Sequence, residues 1–433
     1  MGSATNIALR SIGTEFSIGA VLLGWVSTIY TLAAAICLVP LGKIADMHGR
    51  KRIFTYGISI YTFASLLCAL ANSTPMLIGG RALQGVGSAM IFGTGVAILT
   101  SVFPPGERGQ ALGLNVTATY TGLSLGPFLG GFLTETFGWR SIFLFNVPVG
   151  LLVIILVVWK LTPEWASEEK GRFDVVGSSI YAASLLTVMY GLSRLPETAG
   201  LWLLPAGLAG GVAFVWWEMR AAHPVLNMTL FRGNPGFAFS NLAALINYAA
   251  TTAVGFLLSY YLQYVKLLTP QQAGLVLVAQ PVMMAVFSPL AGWLSDRIES
   301  RVIASTGMGV TAIALALLTL VDLQTPIVFV IVCQVILGFG FALFSSPNVN
   351  AIMSSVERRH YGIASAMVGT MRLIGQMLSM GVAMLILALY VGDVEITSQV
   401  YADFLTSLRT AFIIFSALCF AGVFASMARG KIR

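Results

Sequence analysis

Thirteen apolar runs of about twenty residues each follow one another through this chain, separated by short charged or Pro/Gly-rich breaks. They lie near residues 19–41, 53–71, 76–101, 110–133, 141–159, 175–192, 201–217, 236–265, 271–294, 302–321, 326–348, 362–391 and 404–427. A helix rising ~1.5 Å per residue crosses a bilayer core with about that many residues, so each run is a candidate membrane span. A transmembrane barrel would instead show short segments of alternating polarity, which are absent. Only 9% of the residues are charged, against roughly 25% in a soluble domain, so water cannot be the sole solvent. The expected fold is an all-α polytopic membrane protein.

Orientation follows from the basic residues, because cytoplasmic loops collect Lys and Arg. With Lys43, Arg50, Lys51 and Arg52 inside, seventeen of the 24 fall inside, five outside and two, Arg81 and Arg372, within spans. The inside set takes in Arg108, Lys160, Arg220, Arg297, Arg301 and Arg429, and the C-terminus is expected in the cytoplasm. Topology thus explains the net charge of +7, and no nucleic-acid partner is expected. The same map leaves residues 1–18 outside with no segment to carry them there. The apolar stub 4–9 is expected to be the tail of an earlier helix, so that the numbering begins inside the first of fourteen. It lacks the basic and apolar regions of a secretory signal.

The break after the first run reads Gly42-Lys-Ile-Ala-Asp46-Met-His-Gly49-Arg50-Lys51-Arg52. Glycines allow helix ends to approach closely, and one carboxylate among four bases can hold an arginine or a helix N-terminus. This break resembles the inter-helix signature of the major facilitator superfamily, which implies a gating element. A degenerate partner, Gly292-Trp-Leu-Ser-Asp296-Arg297, stands at an equivalent inside loop, as two related helical halves would produce. Arg81-Ala-Leu-Gln84-Gly85-Val-Gly87 is similar to the family's intramembrane arginine motif; a side chain snorkelling to the interface would also account for Arg81. Gly113, Gly122 and then Gly126-Pro127-Phe-Leu-Gly130-Gly131 reproduce the spacing of the antiporter motif of drug exporters. Small residues at successive turns make a packing groove, and Pro127 removes a backbone donor.

Trp25, Tyr30, Leu32, Trp139-Arg140-Ser-Ile-Phe143 and Asn146-Val-Pro148-Val-Gly150 also look like the fourteen-span drug:proton antiporter family. That resemblance implies two six-helix bundles with two extra helices between them: residues 1–160, an insert over 161–230, and 231–433. It further implies alternating access around a midplane cavity, export of a small-molecule substrate across the cell membrane, and H⁺ as coupling ion. The family's first-helix acid would fall at Met1, and all seventeen carboxylates here lie in loops or at helix ends. Arg372 is about 15 Å deep in its span, where a charge needs polar company. It is expected to line the cavity with Gln376, and Asn241, Gln263 and Gln280 are further candidates, unless they simply bond helix to helix. Intramembrane arginines without acids favour neutral or anionic amphiphiles over cations. An exporter of one endogenous metabolite or anion, or a non-transporting relative, would fit the same residues.

No enzyme is expected. Gly122-Leu-Ser124-Leu-Gly126 fits a hydrolase nucleophile pattern but lies within a helical run. The four cysteines and three histidines lack metal-ligand spacing, and no cofactor is implied.

Overall fold

A computed structural model of the chain describes residues 2–102, 108–161, 173–195, 197–221, 224–226, 228–231, 233–356, 361–392, 396 and 398–430. Among these residues every element is helical. The chain runs α1 (Gly2–Phe16), α2 (Ala20–His48), α3 (Arg50–Ala69), α4 (Thr74–Val102), α5 (Arg108–Phe137), α6 (Arg140–Lys160), α7 (Val175–Arg194) and α8 (Thr198–Glu218). It continues through α9 (Pro235–Tyr260), α10 (Pro270–Leu277), α11 (Ala279–Arg297), α12 (Ser300–Leu318), α13 (Ile327–Ser354), α14 (Tyr361–Tyr390) and α15 (Tyr401–Ala428). With α10 and α11 forming one span, twelve helices among the described residues are long and apolar enough to cross a membrane. The 30-residue α5 occupies the remaining run expected from the sequence. Lys170, Arg172, Arg232, Arg358, Arg359, Lys431 and Arg433, all assigned inside by charge, lie outside the described residues, as do Met1, His223 and His360.

Two expectations are corrected. The Gly42–Arg52 segment, expected as a loop, is helical except at Gly49: α2 persists to His48 and α3 begins at Arg50. Gly49 has φ +112°, a region that L side chains avoid, so the reversal is confined to that residue. The segment over 271–294, expected as one helix, divides at Val278. Pro281 has no N–H to give Leu277, which opens the ladder there. Thr269 and Gln272 fix the start of α10 with a reciprocal capping box.

The chain forms two compact units, residues 25–116 with 139–229, and residues 1–24 with 117–138 and 230–433. In the first, α3 packs on α4 and α6, and α7 packs on α8. In the second, α13 packs on α11 and α12, and α9 on α14 and α15. Membrane helices associate largely through close packing, and glycines set it here. On α4, Gly85 lies against the Tyr30 carbonyl of α2, while a Cβ at Gly87 would sit 2.7 Å from Gly57 O of α3. On α13, Gly338 lies against the Gln280 carbonyl of α11, while a Cβ at Gly340 would sit 2.7 Å from Thr311 N of α12. One Gly-x-Gly device thus clamps a helix to two neighbours in each unit. Gln334 takes the place four residues before Gly338 that Arg81 takes before Gly85.

Candidate transport site

In the unit formed by residues 25–116 and 139–229, the polar centre is built on Arg81. Seven residues into α4, about 10 Å along the helix axis, it is 1% exposed and does not snorkel. Its Nε donates to Val26 O of α2 at 3.1 Å and its Nη1 to Gln84 Oε1 at 2.7 Å. Gln84 Nε2 donates to Ser65 Oγ of α3 at 2.7 Å, and Ser65 donates to Tyr61 O. The guanidinium lies 4.5 Å from the Tyr30 ring centroid and 5.9 Å from that of Phe143 on α6. One arginine therefore joins four helices. Its remaining nitrogen, Nη2, is buried with no hydrogen-bond partner among the described residues.

At the Lys43-bearing end of α2, Arg50 Nε donates to Asp46 Oδ1 at 2.8 Å and Arg50 Nη1 to Ala97 O of α4 at 3.4 Å. Asp46 thus orients an arginine that touches the neighbouring helix. Lys51 is half-buried beside it, and Gly42 faces open space. An exposed i,i+4 pair contributes only about 0.5 kcal/mol. Asp46→Asn is accordingly expected to leave membrane insertion intact while transport falls several-fold; an unchanged transport rate would refute a gating role. On α11, Arg297 stacks on Trp293 at 4.0 Å, and the Asp296 side chain lies outside what the structure describes.

In the other unit, the glycine-rich half of α5 meets α1 and α10. A Cβ at Gly130 would sit 2.7 Å from Ala4 Cα, and one at Gly131 2.5 Å from Pro270 O. Gly274 lies directly against the Pro127 carbonyl. Gly126 is buried, Gly122 faces open space, and the surroundings of Gly113 lie outside the described residues. Sequence spacing found one side of this contact and missed Gly274 and Ala4, which lack a motif of their own.

The remaining candidates divide. Arg372 and Gln376 are half-buried on α14, flanking Gly375, whose Cβ would sit 2.6 Å from Leu245 O of α9. Gln263 is fully enclosed and donates to Ile7 O of α1 at 3.0 Å, so its amide binds helix to helix. Arg10 of α1 donates back to Gln263 O. Asn241 is buried and donates to Phe237 O at 2.9 Å within α9; Gln280 is half-buried. Asn247, also on α9, is fully buried with neither amide atom bonded among the described residues. An open cleft of about 580 Å³ beside α1 and α10 is lined by Arg10, Glu15 and Glu135, and is too exposed to enclose a substrate.

Arg429 was hidden from the charge count, which placed it in a loop. It is 2% exposed and donates to Asn348 Oδ1 of α13 at 3.0 Å and to Ser426 O at 2.7 Å. Burial, with Arg301 nearby, pulls its guanidinium down to about 10, still charged at neutral pH.

The Major Facilitator Superfamily model matches residues 1–238 and 240–430. The chain is 32% identical to the riboflavin transporter RibZ of Clostridioides difficile (strain 630), over 86% of this chain and 81% of that protein. It is 31% identical to the multidrug resistance protein Stp of Mycobacterium tuberculosis (strain CDC 1551 / Oshkosh), over 88% of this chain and 72% of that one. The crystal structure of a bacterial homologue of the human lysosomal transporter Spinster, inward-facing and unoccupied, superposes with a TM-score of 0.71 at 17% identity, over 99% of this chain and 93% of that one. The chain belongs to the Major Facilitator Superfamily and is a multi-pass membrane transporter, not an enzyme.

Proposed function

We propose that this transporter exports small neutral or anionic amphiphiles across the cell membrane by alternating access, exchanging them for protons. In this reading two six-helix bundles flank α7 and α8, and the C-terminus lies in the cytoplasm. The observation that carries the substrate class is Arg81 Nη2, a buried cationic N–H without an acceptor among the described residues. An acceptor on a substrate would remove that deficit in low dielectric, where a second cation would be repelled. The antiporter motif and the similarity to Stp support efflux, with H⁺ coupling resting on the same resemblance. The similarity to RibZ, a riboflavin transporter, favours a second reading, carriage of one metabolite.

Inverted membrane vesicles test this. Uptake of an amphiphilic anion should need the proton gradient and collapse with a protonophore, while a quaternary ammonium dye should compete poorly. Strong competition by the dye refutes the substrate class, and uptake indifferent to the protonophore refutes proton exchange. No uptake across a broad panel would leave a non-transporting relative. Arg372→Ala is expected to lower both substrate affinity and turnover roughly tenfold, about 1.4 kcal/mol; retention of both would exclude Arg372 from the cavity.

A further inference from the structure

Among the described residues, one carboxyl side chain at a helix end is almost fully enclosed. Glu218 closes α8 and is 3% exposed. Its Oε2 accepts from the backbone N–H of Leu226 at 2.8 Å. Its Oε1 is buried and has no hydrogen-bond partner among the described residues. Beside it stands Asp174, the N-cap of α7. A Cβ at Gly177 would lie 2.6 Å from Glu218 Oε1 and 2.6 Å from Asp174 Oδ2, so the two oxygens lie within twice that distance of each other.

The two carboxyl groups are not equivalent. Asp174 Oδ1 accepts from Gly177 N at 2.8 Å and Oδ2 from Trp217 Nε1 at 2.8 Å, and the group caps a helix N-terminus. Both oxygens of Asp174 are thus occupied by donors. Glu218 Oε1 has no donor among the described residues, and a second anion beside the first is unfavourable. Lys43, from the Gly42–Asp46 motif on α2, is near enough for its charge to act on Glu218. Tyr181 of α7 also donates to Ala35 O of α2, tying the insert to that helix.

We propose that Glu218 and Asp174 form a proton-binding site, with the proton carried on Glu218 Oε1 and shared towards Asp174 Oδ2. Bound, the proton gives Oε1 a hydrogen to donate and removes one of two neighbouring anions. Released, it leaves two neighbouring carboxylates, that of Glu218 enclosed, so the inner ends of α7 and α8 separate or Glu218 turns towards Lys43. The α7–α8 insert thereby becomes sensitive to pH at the end where the gating motif stands.

Infrared difference spectroscopy of the full chain in lipid nanodiscs, titrated from mildly acidic to mildly alkaline pH, reads this proton without any substrate. Its result therefore stands apart from the transport reading. The wild type should show a protonated-carboxyl C=O band at neutral pH, where solvated loop carboxylates are ionised, and should lose it at alkaline pH. Glu218→Gln, which has the size and neutrality of the protonated acid, should remove the band. Asp174→Asn should shift its frequency and midpoint, and also supplies the reading if Glu218→Gln fails to accumulate. Absence of the band in the wild type, or its survival in Glu218→Gln, overturns the site; a band unmoved by Asp174→Asn overturns the sharing.

Discussion

Arg81→Ala is expected to lower the thermal stability of the purified transporter and to abolish transport. Truncation removes the Arg81 donors from Val26 O, which keeps its helical partner, and from Gln84 Oε1, which keeps only the weak Cys68 thiol at 4.0 Å, at about 1–3 kcal/mol for the latter. It also removes the cation from the face of Tyr30 and opens a cavity among four helices. Some of that loss is returned, because a buried guanidinium with an unbonded Nη2 is itself costly. The net expectation is a loss of about 2–4 kcal/mol. Arg81→Lys separates the two roles. Lysine keeps the charge but cannot hold Val26 O and Gln84 while presenting a third planar donor. It should retain most of the stability and lose at least tenfold in transport of an anionic substrate. Lysine transporting as well as arginine would reduce Arg81 to a structural tie.

The membrane-spanning segments were legible because hydropathy over twenty residues is a physical requirement of the bilayer, not a preference of the fold. Helix ends were less so. Lys43 to His48 interrupt the apolar run without interrupting the backbone, since a polar helix end needs only water around it, and only Gly49 at φ +112° breaks the helix. The positive-inside rule sorts charges by side but cannot register enclosure. The map put Arg429 inside and Glu218 in a loop or at a helix end, and both are almost fully buried. Glycines signalled close approach without naming the partner: nothing local to Gly131 points to Pro270, or to Pro127 points to Gly274. Candidate polar residues suffered the same ambiguity. Gln263 and Asn247 belong to one helical run and are both fully buried, yet one bonds the π turn Tyr261–Val265 that continues α9 to α1 and the other makes no side-chain bond among the described residues.

The glycine pattern of α5 yields the sharpest contrast, because its glycines are not alike. At Gly131 an added Cβ would meet Pro270 O at 2.5 Å and Gln271 Cα at 2.8 Å. At Gly274 it would meet the Pro127 carbonyl, so the contact is closed from both sides. The opposing atoms are backbone, which cannot rotate away, so Gly131→Ala and Gly274→Ala must push α5 and α10 apart. Overpacking of this kind costs about 1–3 kcal/mol, and packing is the main force between membrane helices. Both variants should unfold at lower temperature and lose most transport. At Gly122, by contrast, a Cβ meets nothing within 4 Å, so Gly122→Ala adds a methyl group to open space. Alanine is favoured over glycine inside a helix by about 0.5–1 kcal/mol, so this variant should be neutral or slightly stabilising. If Gly131→Ala and Gly122→Ala prove equally harmful, the motif acts through something other than the α5–α10 contact, such as a backbone bend that needs all its glycines. If Gly131→Ala alone is defective and Gly131→Ser is worse still, the contact itself sets the requirement, because a hydroxyl adds further bulk against a carbonyl that has nowhere to move.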